Sequence, residues 1–443
     1  MKFHLFIDNF RGFSDTYIPI TDVNFLVGEN STGKTSVLGL LRLFLNPHSI
    51  LMRQDFSDEG VDFGNFPDMV SVHSHNQSRF DIGLIAENVA GKKSEPPATG
   101  FILTYVESKG LPKLSKCTFC LGAEQISLRF VKRAVYFRRE KFTSPLSTEQ
   151  IKAVFRSECA SEFGKSNEYE KLTLPSGFPS DVPPLFALSF VQSQVNQKVE
   201  KEKGKERREF NLYPDFLSST PSLCWVAPIR TKPKRTYDVL TREFSPEGEH
   251  TPYLLRGILR SKSQATRFRD AICKAGKATG LFQDVKIRNF GTGATAPFEV
   301  DIVLDGKGLN INTVGYGVSQ SLPVLVELLA RRKGSWFAIQ QPEVHLHPRA
   351  QAAFGDVLFE MAAQEQKCFL IETHSDFMMD RFRMQYRSQH SRKPESQILF
   401  FERKDKHNSV TPLRISDSGE LPEDQPEDYR SFFIREQMNL LGI

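Results

Sequence analysis

The sequence lacks any long hydrophobic run. No apolar stretch among its 443 residues approaches the roughly 20 residues that a membrane-spanning helix requires. The opening "MKFHLFIDNFRGF" lacks the small-residue cleavage site that ends a signal peptide. Cysteine is also scarce, and the six cysteines are scattered, mostly within apolar segments, as is typical of proteins in a reducing cytosol. We therefore predict a cytoplasmic protein with no membrane partner.

Neither the charge nor the cysteine spacing identifies a ligand. The 58 basic and 53 acidic residues leave a net charge of only +5, an excess too small to establish a nucleic-acid partner. Cys117 and Cys120 form an isolated CxxC pair in the strand-like segment "KCTFCLG". A metal site of this type needs a second pair of ligands. We interpret both cysteines as structural, with a metal site as the less favoured alternative.

What the sequence does contain is a phosphate-binding loop near its N-terminus. In "DVNFLVGENSTGKTSVLGLLRLFL" a short apolar strand leads into a segment that matches G-x-x-x-x-G-K-[ST] at every fixed position, and leucines then recur at helical spacing. The glycines let backbone N–H groups face a phosphate. The lysine supplies positive charge for the terminal phosphates, and the threonine hydroxyl can ligate Mg²⁺. The predicted nucleotide-binding residues are Gly28, Asn30, Ser31, Thr32, Gly33, Lys34, Thr35 and Ser36.

The rest of the chain predicts a mixed α/β fold built from both ends of the polypeptide. "FHLFIDNFRGFSDTYIPI" is typical of an antiparallel hairpin, and strand-like runs continue through residues 80–135. In the C-terminal part, apolar strands alternate with helices, which indicates a mainly parallel sheet covered on both faces. We predict an N-terminal half with an antiparallel β lobe in residues 1–136, a helical insertion in 137–224 and a C-terminal half in 225–443.

One strand end lacks the acids that phosphate-cleaving ATPases carry there. In "FAIQQPEVHLHP" the apolar run stops at Gln340 and Gln341 before a proline. A glutamine can orient water by hydrogen bonds, but it cannot take up a proton. Glu343 is the nearest remaining acid, and Glu372 ends the adjacent strand. We favour Glu343 as a substitute base or water-orienting group, with a surface or helix-capping role as the alternative.

Three C-terminal segments complete a family resemblance. In this order after the phosphate loop, "VGYGVSQSLPVL", "IQQPEVHLHPRAQ" and "IETHSDFMMDRF" resemble the ABC-type P-loop ATPase heads of the SMC, RecF and OLD-like group. "WVAPIRTKPKR" and the tail "YRSFFIREQMNLLGI" resemble the stand-alone AAA branch, which includes ATPase subunits of anti-phage systems such as PARIS and Septu. The resemblance leaves out the middle of the chain.

The resemblance implies a head-to-tail homodimer, or a higher oligomer, that encloses two ATP molecules with Mg²⁺. It implies that a signature loop caps the nucleotide of the opposite subunit, and the residues that match this loop are Gly315, Gly317, Ser319 and Gln320. Arg11 would reach the nucleotide from the hairpin. The Q-loop glutamine is not assigned, because "VHSHNQSRF" offers several candidates.

The resemblance also implies the catalytic set. His374 matches the switch histidine that contacts the γ-phosphate. Gln340 takes the place of the acid that orients the magnesium shell, so Thr35 and Gln340 are the metal candidates. Gln341 takes the place of the water-activating glutamate, so the catalytic candidates are Glu343, Gln341 and His374. The histidines of "HLHP" are interpreted as a family feature ahead of a helix rather than as metal ligands.

Several functions remain open on the sequence alone. The first is a slowly hydrolysing ATPase that acts as a switch or scaffold for a separately encoded effector in anti-phage defence. The second is a DNA-repair or chromosome-maintenance ATPase that clamps DNA. Its support is local, from "VEKEKGKERR", "RTKPKR" and "RSKSQATRFR", each of which is also an ordinary solvated face. A third, a non-hydrolysing nucleotide-binding scaffold, is suggested by the two glutamines.

Overall fold

The computed structural model describes residues 2–46, 48–53, 56–58, 60–87, 97–131, 134–160, 169–173, 182–202, 222–238, 243–261, 263–293 and 295–429. Within these residues the strands are β1 (Lys2–Asp8), β2 (Thr16–Ile20), β3 (Val23–Gly28), β4 (Ser57–Asp58), β5 (Val61–Asp62), β6 (Arg79–Glu87), β7 (Ala98–Ser108), β8 (Leu111–Leu121), β9 (Glu124–Val131), β10 (Ala134–Lys141), β11 (Glu170–Thr173), β12 (Leu223–Val226), β13 (Asp284–Asn289), β14 (Phe298–Leu304), β15 (Lys307–Asn310), β16 (Trp336–Gln340), β17 (Cys368–Glu372), β18 (Ser396–Lys404) and β19 (His407–Arg414). The helices are α1 (Lys34–Leu45), α2 (Phe66–Met69), α3 (Thr148–Ala160), α4 (Pro184–Glu202), α5 (Thr251–Arg260), α6 (Ala265–Thr279), α7 (Tyr316–Ala330), α8 (Pro348–Glu365) and α9 (Asp376–Met384). The mixed α/β class predicted from the sequence is therefore what the structure contains.

The chain divides into two compact units, and each draws on distant parts of the sequence. The first unit comprises Met1–Ile20, Asn30–Thr220 and Phe401–Val410. The second comprises Thr21–Glu29, Pro221–Phe400 and Thr411–Ile443. The chain passes from the second unit to the first between Glu29 and Asn30, within the phosphate loop. No helix in the described ranges is both long and apolar enough to cross a lipid bilayer.

An eight-stranded antiparallel sheet forms the core of the first unit. Its strand order is β11-β10-β9-β8-β7-β6-β1-β2, and it includes the predicted N-terminal hairpin, in which Phe3 pairs with Ile20. Helix α3 packs on this sheet through the buried side chains of Ile151 and Phe155. The helix lies close because the strands beneath it carry glycine: a Cβ on Gly83 would lie 3.0 Å from the Phe155 ring.

The predicted helical insertion is partly β-structure. β10 continues to Lys141, and β11 pairs with it, Val135 opposite Leu172. The antiparallel sheet therefore extends into residues 137–224, and within β10 Val135 and Phe137 are buried while Tyr136 between them is half-buried, as the alternation of a strand requires. Helices α3 and α4 account for the helical part. Residues 203–221, which contain much of the charged stretch "VEKEKGKERR", and the tail from residue 430 lie outside the described residues.

A six-stranded sheet forms the core of the second unit, in the order β12-β16-β17-β3-β18-β19. β12, β16, β17 and β3 are successive parallel neighbours. Every residue of β3, β16 and β17 is buried, which is why these strands are near-continuous apolar runs rather than alternating ones. Helices α5 to α9 and the three-stranded sheet β13-β14-β15 complete the unit.

Candidate nucleotide-binding site

The phosphate loop begins where β3 ends and leads into α1. Gly28, the last residue of β3, has a φ of 144°, and Ser31 and Gly33 also have positive φ, 62° and 93°. Gly33 is the residue immediately before α1. A Cβ at that position would lie 2.4 Å from the ring of Phe13. Both the backbone angle and the available space therefore require glycine at position 33.

The side chains of the loop divide into a buried and an exposed set. Three are buried, with exposed fractions of 2%, 4% and 8%: Thr32, Lys34 and Ser36. Three others are exposed: Asn30, Ser31 and Thr35. The first N–H groups of an α-helix have no acceptor within the helix and favour an anion. The predicted residues thus form a loop with the backbone course, the helix N-terminus and the lysine that a polyphosphate site needs.

Residues from the far end of the chain hold this loop, and the sequence analysis missed them. Nη2 of Arg403 donates to the carbonyl oxygen of Ser31 over 3.3 Å, although the two residues are 372 positions apart. Nδ2 of Asn408 donates to the carbonyl oxygen of Arg11 over 2.9 Å. Arg403 adds a positive charge beside the phosphate loop. No local pattern in the sequence could have revealed either contact.

Arg11 fixes the hairpin turn. Its Nε donates to the carbonyl oxygen of Asp68 over 3.1 Å, and its Nη2 donates to that of Phe63 over 3.0 Å. The guanidinium also lies over the Phe63 ring, 4.7 Å from its centroid. Burial lowers the pKa of Arg11, and the neighbouring acids Asp68 and Asp62 oppose that effect. Its predicted contact with a nucleotide stays a prediction.

The carboxyl ends of three parallel strands meet at one edge of the six-stranded sheet. Gln340, at the end of β16, pairs with Glu372, at the end of β17, and Glu372 pairs with Leu26 of β3. The amide of Gln340 donates from Nε2 to Oε2 of Glu372 over 2.9 Å. Beyond the strand, the N–H of Thr373 donates to the carbonyl oxygen of Leu26 over 3.2 Å. The start of the phosphate loop, at Gly28, lies on this same edge, where ligands of parallel α/β sheets bind.

Glu343 and His374 are brought together at this edge. Oε1 of Glu343 accepts the backbone N–H of His374 over 2.8 Å. The other carboxylate oxygen, Oε2, is buried and has no hydrogen-bond partner among the described residues. His374 is exposed. Gln341 has a left-handed backbone, with a φ of 44°, and its N–H donates to the carbonyl oxygen of Glu372 over 2.7 Å. At this edge the carboxylate of Glu343 is therefore held in place through Oε1, while Oε2 makes no hydrogen bond among the described residues.

The signature segment forms the start of α7. Gly315 is the cap residue before the helix and is exposed. A Cβ on Gly317 would lie 2.7 Å from the carbonyl oxygen of His345, so glycine permits this close approach. Ser319 and Gln320 are buried: Oγ of Ser319 donates to the carbonyl oxygen of Tyr316 over 2.9 Å, and Nε2 of Gln320 donates to that of Arg230 over 3.4 Å. These two side chains therefore form hydrogen bonds within their own subunit.

Arg230 is a site residue that the sequence analysis did not identify. Its side chain is buried, and Nη2 donates to the carbonyl oxygen of Gln340 over 3.0 Å. Burial lowers the pKa of Arg230 to about 10, and the charge of Glu343 opposes that effect. The guanidinium is therefore charged at neutral pH. The only sequence signal was its place in "WVAPIRTKPKR", a segment quoted for the resemblance as a whole.

Gln340 and Thr35, the two predicted metal candidates, each carry a side-chain oxygen, and their role as magnesium ligands stays a prediction. Because a carboxylate only accepts hydrogen bonds, the contact with Glu372 fixes the Gln340 amide with Nε2 towards the acid and leaves Oε1 as its acceptor. Thr35 is an exposed residue whose side chain carries a hydroxyl. Mg²⁺ prefers oxygen ligands and is usually held by few protein groups together with substrate phosphates. Each of these two side chains therefore offers an oxygen of the kind that Mg²⁺ binds.

The histidines and cysteines considered for metal binding have other surroundings. His347 caps α8, with Nδ1 accepting the N–H of Arg349 over 3.3 Å, and the ring of His345 contacts Tyr316 edge-on at 5.0 Å. Cys117 and Cys120 are buried free thiols in β8, and burial raises the pKa of both. Within the described ranges, neither pair belongs to a group of three potential metal ligands.

Two family models match the chain. The model described as "AAA ATPase domain" matches residues 1–176. The model described as "AAA domain, putative AbiEii toxin, Type IV TA system" matches residues 131–380, more than half of the chain. Together they span the phosphate loop, the signature segment, the ends of β16 and β17, and His374. The matches bear out the predicted ATPase class, and no curated protein sequence matches the chain.

Among solved structures, the chain is similar to SMC head domains. It shares 9% identity with the SMC head domain of Pyrococcus furiosus bound to the C-terminal domain of ScpA, with 99% of this chain and 100% of that chain covered and a TM-score of 0.41. It shares 11% identity with the SMC head domain of Thermotoga maritima, with 93% and 98% covered and a TM-score of 0.37. At these values the likeness carries no inference about what this chain does.

Proposed function

The chain belongs to the AAA domain family whose model spans residues 131–380, and from that membership and the geometry of the strand ends we propose that it is a slowly hydrolysing ATPase. The observation that carries the proposal is the arrangement at the end of β16. Both positions where ATPases of this class carry acids are glutamine, while Glu343 presents beside them one buried oxygen that has no hydrogen-bond partner in the described part of the chain. Such a site holds a triphosphate better than it cleaves it.

Each residue has a defined part in the proposed reaction. Lys34 and the N–H groups of the phosphate loop bind the phosphates. A bound Mg²⁺, held by Thr35, Gln340 and the nucleotide, would neutralise charge on the phosphate oxygens. Glu343 orients the attacking water with Oε2, because Oε1 is fixed by the N–H of His374. Gln341 adds a hydrogen bond but no proton acceptor, and a missing base costs about 10²- to 10⁴-fold in rate.

We further propose that ATP holds two copies together and that this dimer controls a separately encoded effector in anti-phage defence. The exposed start of α7 and large apolar side chains of the same unit, Tyr316 at 44% exposure and Ile229 at 81%, suit the surface that a second copy would cover. The family description names a toxin of a toxin–antitoxin system, which supports a role in bacterial conflict with a separate partner.

The test combines turnover with molar mass. With ATP, we expect the wild-type protein to move from one copy to two in light scattering and to turn over below about one ATP per second, the low end of ordinary enzyme rates. We expect Glu343→Gln to keep the dimer and to lose at least about tenfold in turnover. The exposed Glu243→Gln is the matched control, with both properties unchanged.

Two results would contradict the proposal: turnover above about ten per second without a partner, or unchanged turnover in Glu343→Gln. The same samples address the DNA-clamping alternative, to which the exposed Lys232, Lys234 and Arg235 contribute. DNA binding that falls steeply as the salt concentration rises would favour that alternative instead.

A further inference from the structure

Residues 229 and 230 reverse the usual rule of burial. Ile229 is 81% exposed, whereas Arg230, the next residue, is only 3% exposed. Charged side chains are almost never fully buried unless they are paired, because removing a charge from water is costly. The surrounding backbone imposes this arrangement. The N–H of Ala227 donates to Pro246, the N–H of Thr231 donates to Glu247, and the carbonyl oxygen of Arg230 accepts from Gln320.

The buried guanidinium is only partly satisfied. Nη2 donates to the carbonyl oxygen of Gln340. Nε and Nη1 are buried, and neither has a hydrogen-bond partner within the part of the chain that the structure describes. The one acid whose charge favours the protonated form of Arg230 is Glu343, and no ion pair joins the two in the described residues. A charged guanidinium with two donors that make no hydrogen bond can hold an anion through charge-assisted hydrogen bonds.

The position of Arg230 indicates which anion its free donors would bind. Its contact with Gln340 places the guanidinium at the carboxyl end of β16. β17 separates β16 from β3, so the start of the phosphate loop lies on the same edge, about 10 Å across the sheet at the usual strand spacing. Position 340 carries an uncharged amide where this class of ATPase carries an acid. The end of β16 therefore combines an uncharged amide with a buried cation, and that cation attracts a phosphate.

We propose that Arg230 is a ligand of the terminal phosphate of bound ATP, with Nε and Nη1 as the donors. This inference rests on the proposed ATPase function and deepens it, because it assigns a residue that holds the triphosphate at a site poor in catalytic acids. Arg230 would then distinguish ATP from ADP, since the diphosphate lacks the group it binds.

The test is equilibrium binding of fluorescent ATP and ADP analogues, both with Mg²⁺, to the full chain. A lost charge-assisted contact lowers affinity by about 10- to 100-fold. We expect Arg230→Gln to weaken ATP by that amount and ADP by less than about threefold. Arg230→Lys, which keeps the charge without the planar fork, should fall between the wild type and Arg230→Gln. Arg235→Gln removes an exposed arginine from the same loop and should bind both nucleotides as the wild type does.

The outcomes separate the two proposals. Equal weakening of ATP and ADP, or no weakening of either, would overturn the assignment of Arg230 while leaving the ATPase proposal standing. A wild-type protein that binds neither nucleotide would instead refute the ATPase proposal. ADP affinity also reports on folding, and if Arg230→Gln does not fold, Arg230→Lys carries the test: ATP weakened by about threefold or more with ADP unchanged supports the assignment, and unchanged ATP affinity overturns it.

Discussion

Gly33 illustrates what a single residue contributes to this site. Its φ of 93° lies where side chains other than glycine are strained, and the ring of Phe13 occupies the space that a Cβ would need. The sequence predicted the need for glycine from the loop pattern alone. The sequence could not predict the contact between position 33 and the ring of Phe13, because that contact depends on how the hairpin folds against the loop.

We expect Gly33→Ala to abolish measurable ATP binding and to lower the thermal melting temperature. The strained backbone alone costs about 1–3 kcal/mol, and the clash with Phe13 adds to it. The paired variant Phe13→Ala/Gly33→Ala should regain melting temperature only in part, because it removes the clash and leaves the strained φ. Gly257→Ala is the control: Gly257 lies inside α5 with open space around it, so alanine should stabilise that helix slightly. Normal ATP binding by Gly33→Ala would refute this account of the loop.

At the scale of elements, the proposed slow hydrolysis depends on the end of β16. The strand is buried throughout, and its carboxyl end carries amides instead of acids. The neighbouring strand supplies Glu372, but that carboxylate accepts the amide of Gln340. The strand is therefore intact, and we propose that the amides at its carboxyl end are what slow hydrolysis.

We expect Gln341→Glu to raise the single-turnover rate of ATP hydrolysis by about tenfold or more, with the protein in saturating excess over ATP. The substitution supplies a proton acceptor at the position where this class of ATPase carries one, and general bases contribute about 10²- to 10⁴-fold. Phosphate formation in acid-quenched single-turnover reactions is the measurement, since it separates chemistry from product release. Gln351→Glu, further along in α8, is the comparison variant and should not accelerate hydrolysis. A rate that stays unchanged or falls in Gln341→Glu would show that the glutamine is not what limits turnover.

Elements with a strong local pattern could be predicted, and those set by distant contacts could not. "WFAIQ" and "KCFLIET" predicted β16 and β17 because both are short apolar runs between helices. The start of β10 lies in the strand-like run "ISLRFVKRAVYF", but its continuation to Lys141 and its partner β11 were missed, since the pairing of β10 with β11 joins residues on either side of a helix. Asn24 in the middle of β3 had no local explanation. In the structure, the buried side-chain amide of Asn24 forms hydrogen bonds with Thr21, Phe369 and Gln397.

The residues of the candidate site divide in the same way, into those that follow from a local sequence pattern and those set by distant contacts. The phosphate loop, the start of α7 and the end of β16 each follow from a contiguous segment, so the sequence placed all three on the correct kind of element. Arg230 and Arg403 were missed because their partners, Gln340 and Ser31, lie 110 and 372 positions away. A single sequence carries no signal for such pairs, and only folding brings them together.

At the scale of the whole molecule, the ends of the polypeptide are interleaved. β3, from the N-terminal part, pairs with β17, from the C-terminal part, and each compact unit is assembled from three stretches of chain. The sequence predicted that both ends contribute to one ATPase core, because the phosphate loop and its partner strands lie at opposite ends of the chain. It underestimated the antiparallel sheet, which has eight strands and reaches into the region predicted to be a helical insertion.

Equilibrium binding of ATP to the wild-type chain and to Lys34→Ala tests the central claim most directly. Lys34 is a buried lysine in the first turn of α1, and its charge is expected to hold the terminal phosphates. The account predicts that the wild type binds ATP at micromolar or lower concentration and that Lys34→Ala weakens this binding by about 10-fold or more at an unchanged melting temperature. Absence of ATP binding by the wild type, or equal affinity in Lys34→Ala, would contradict it.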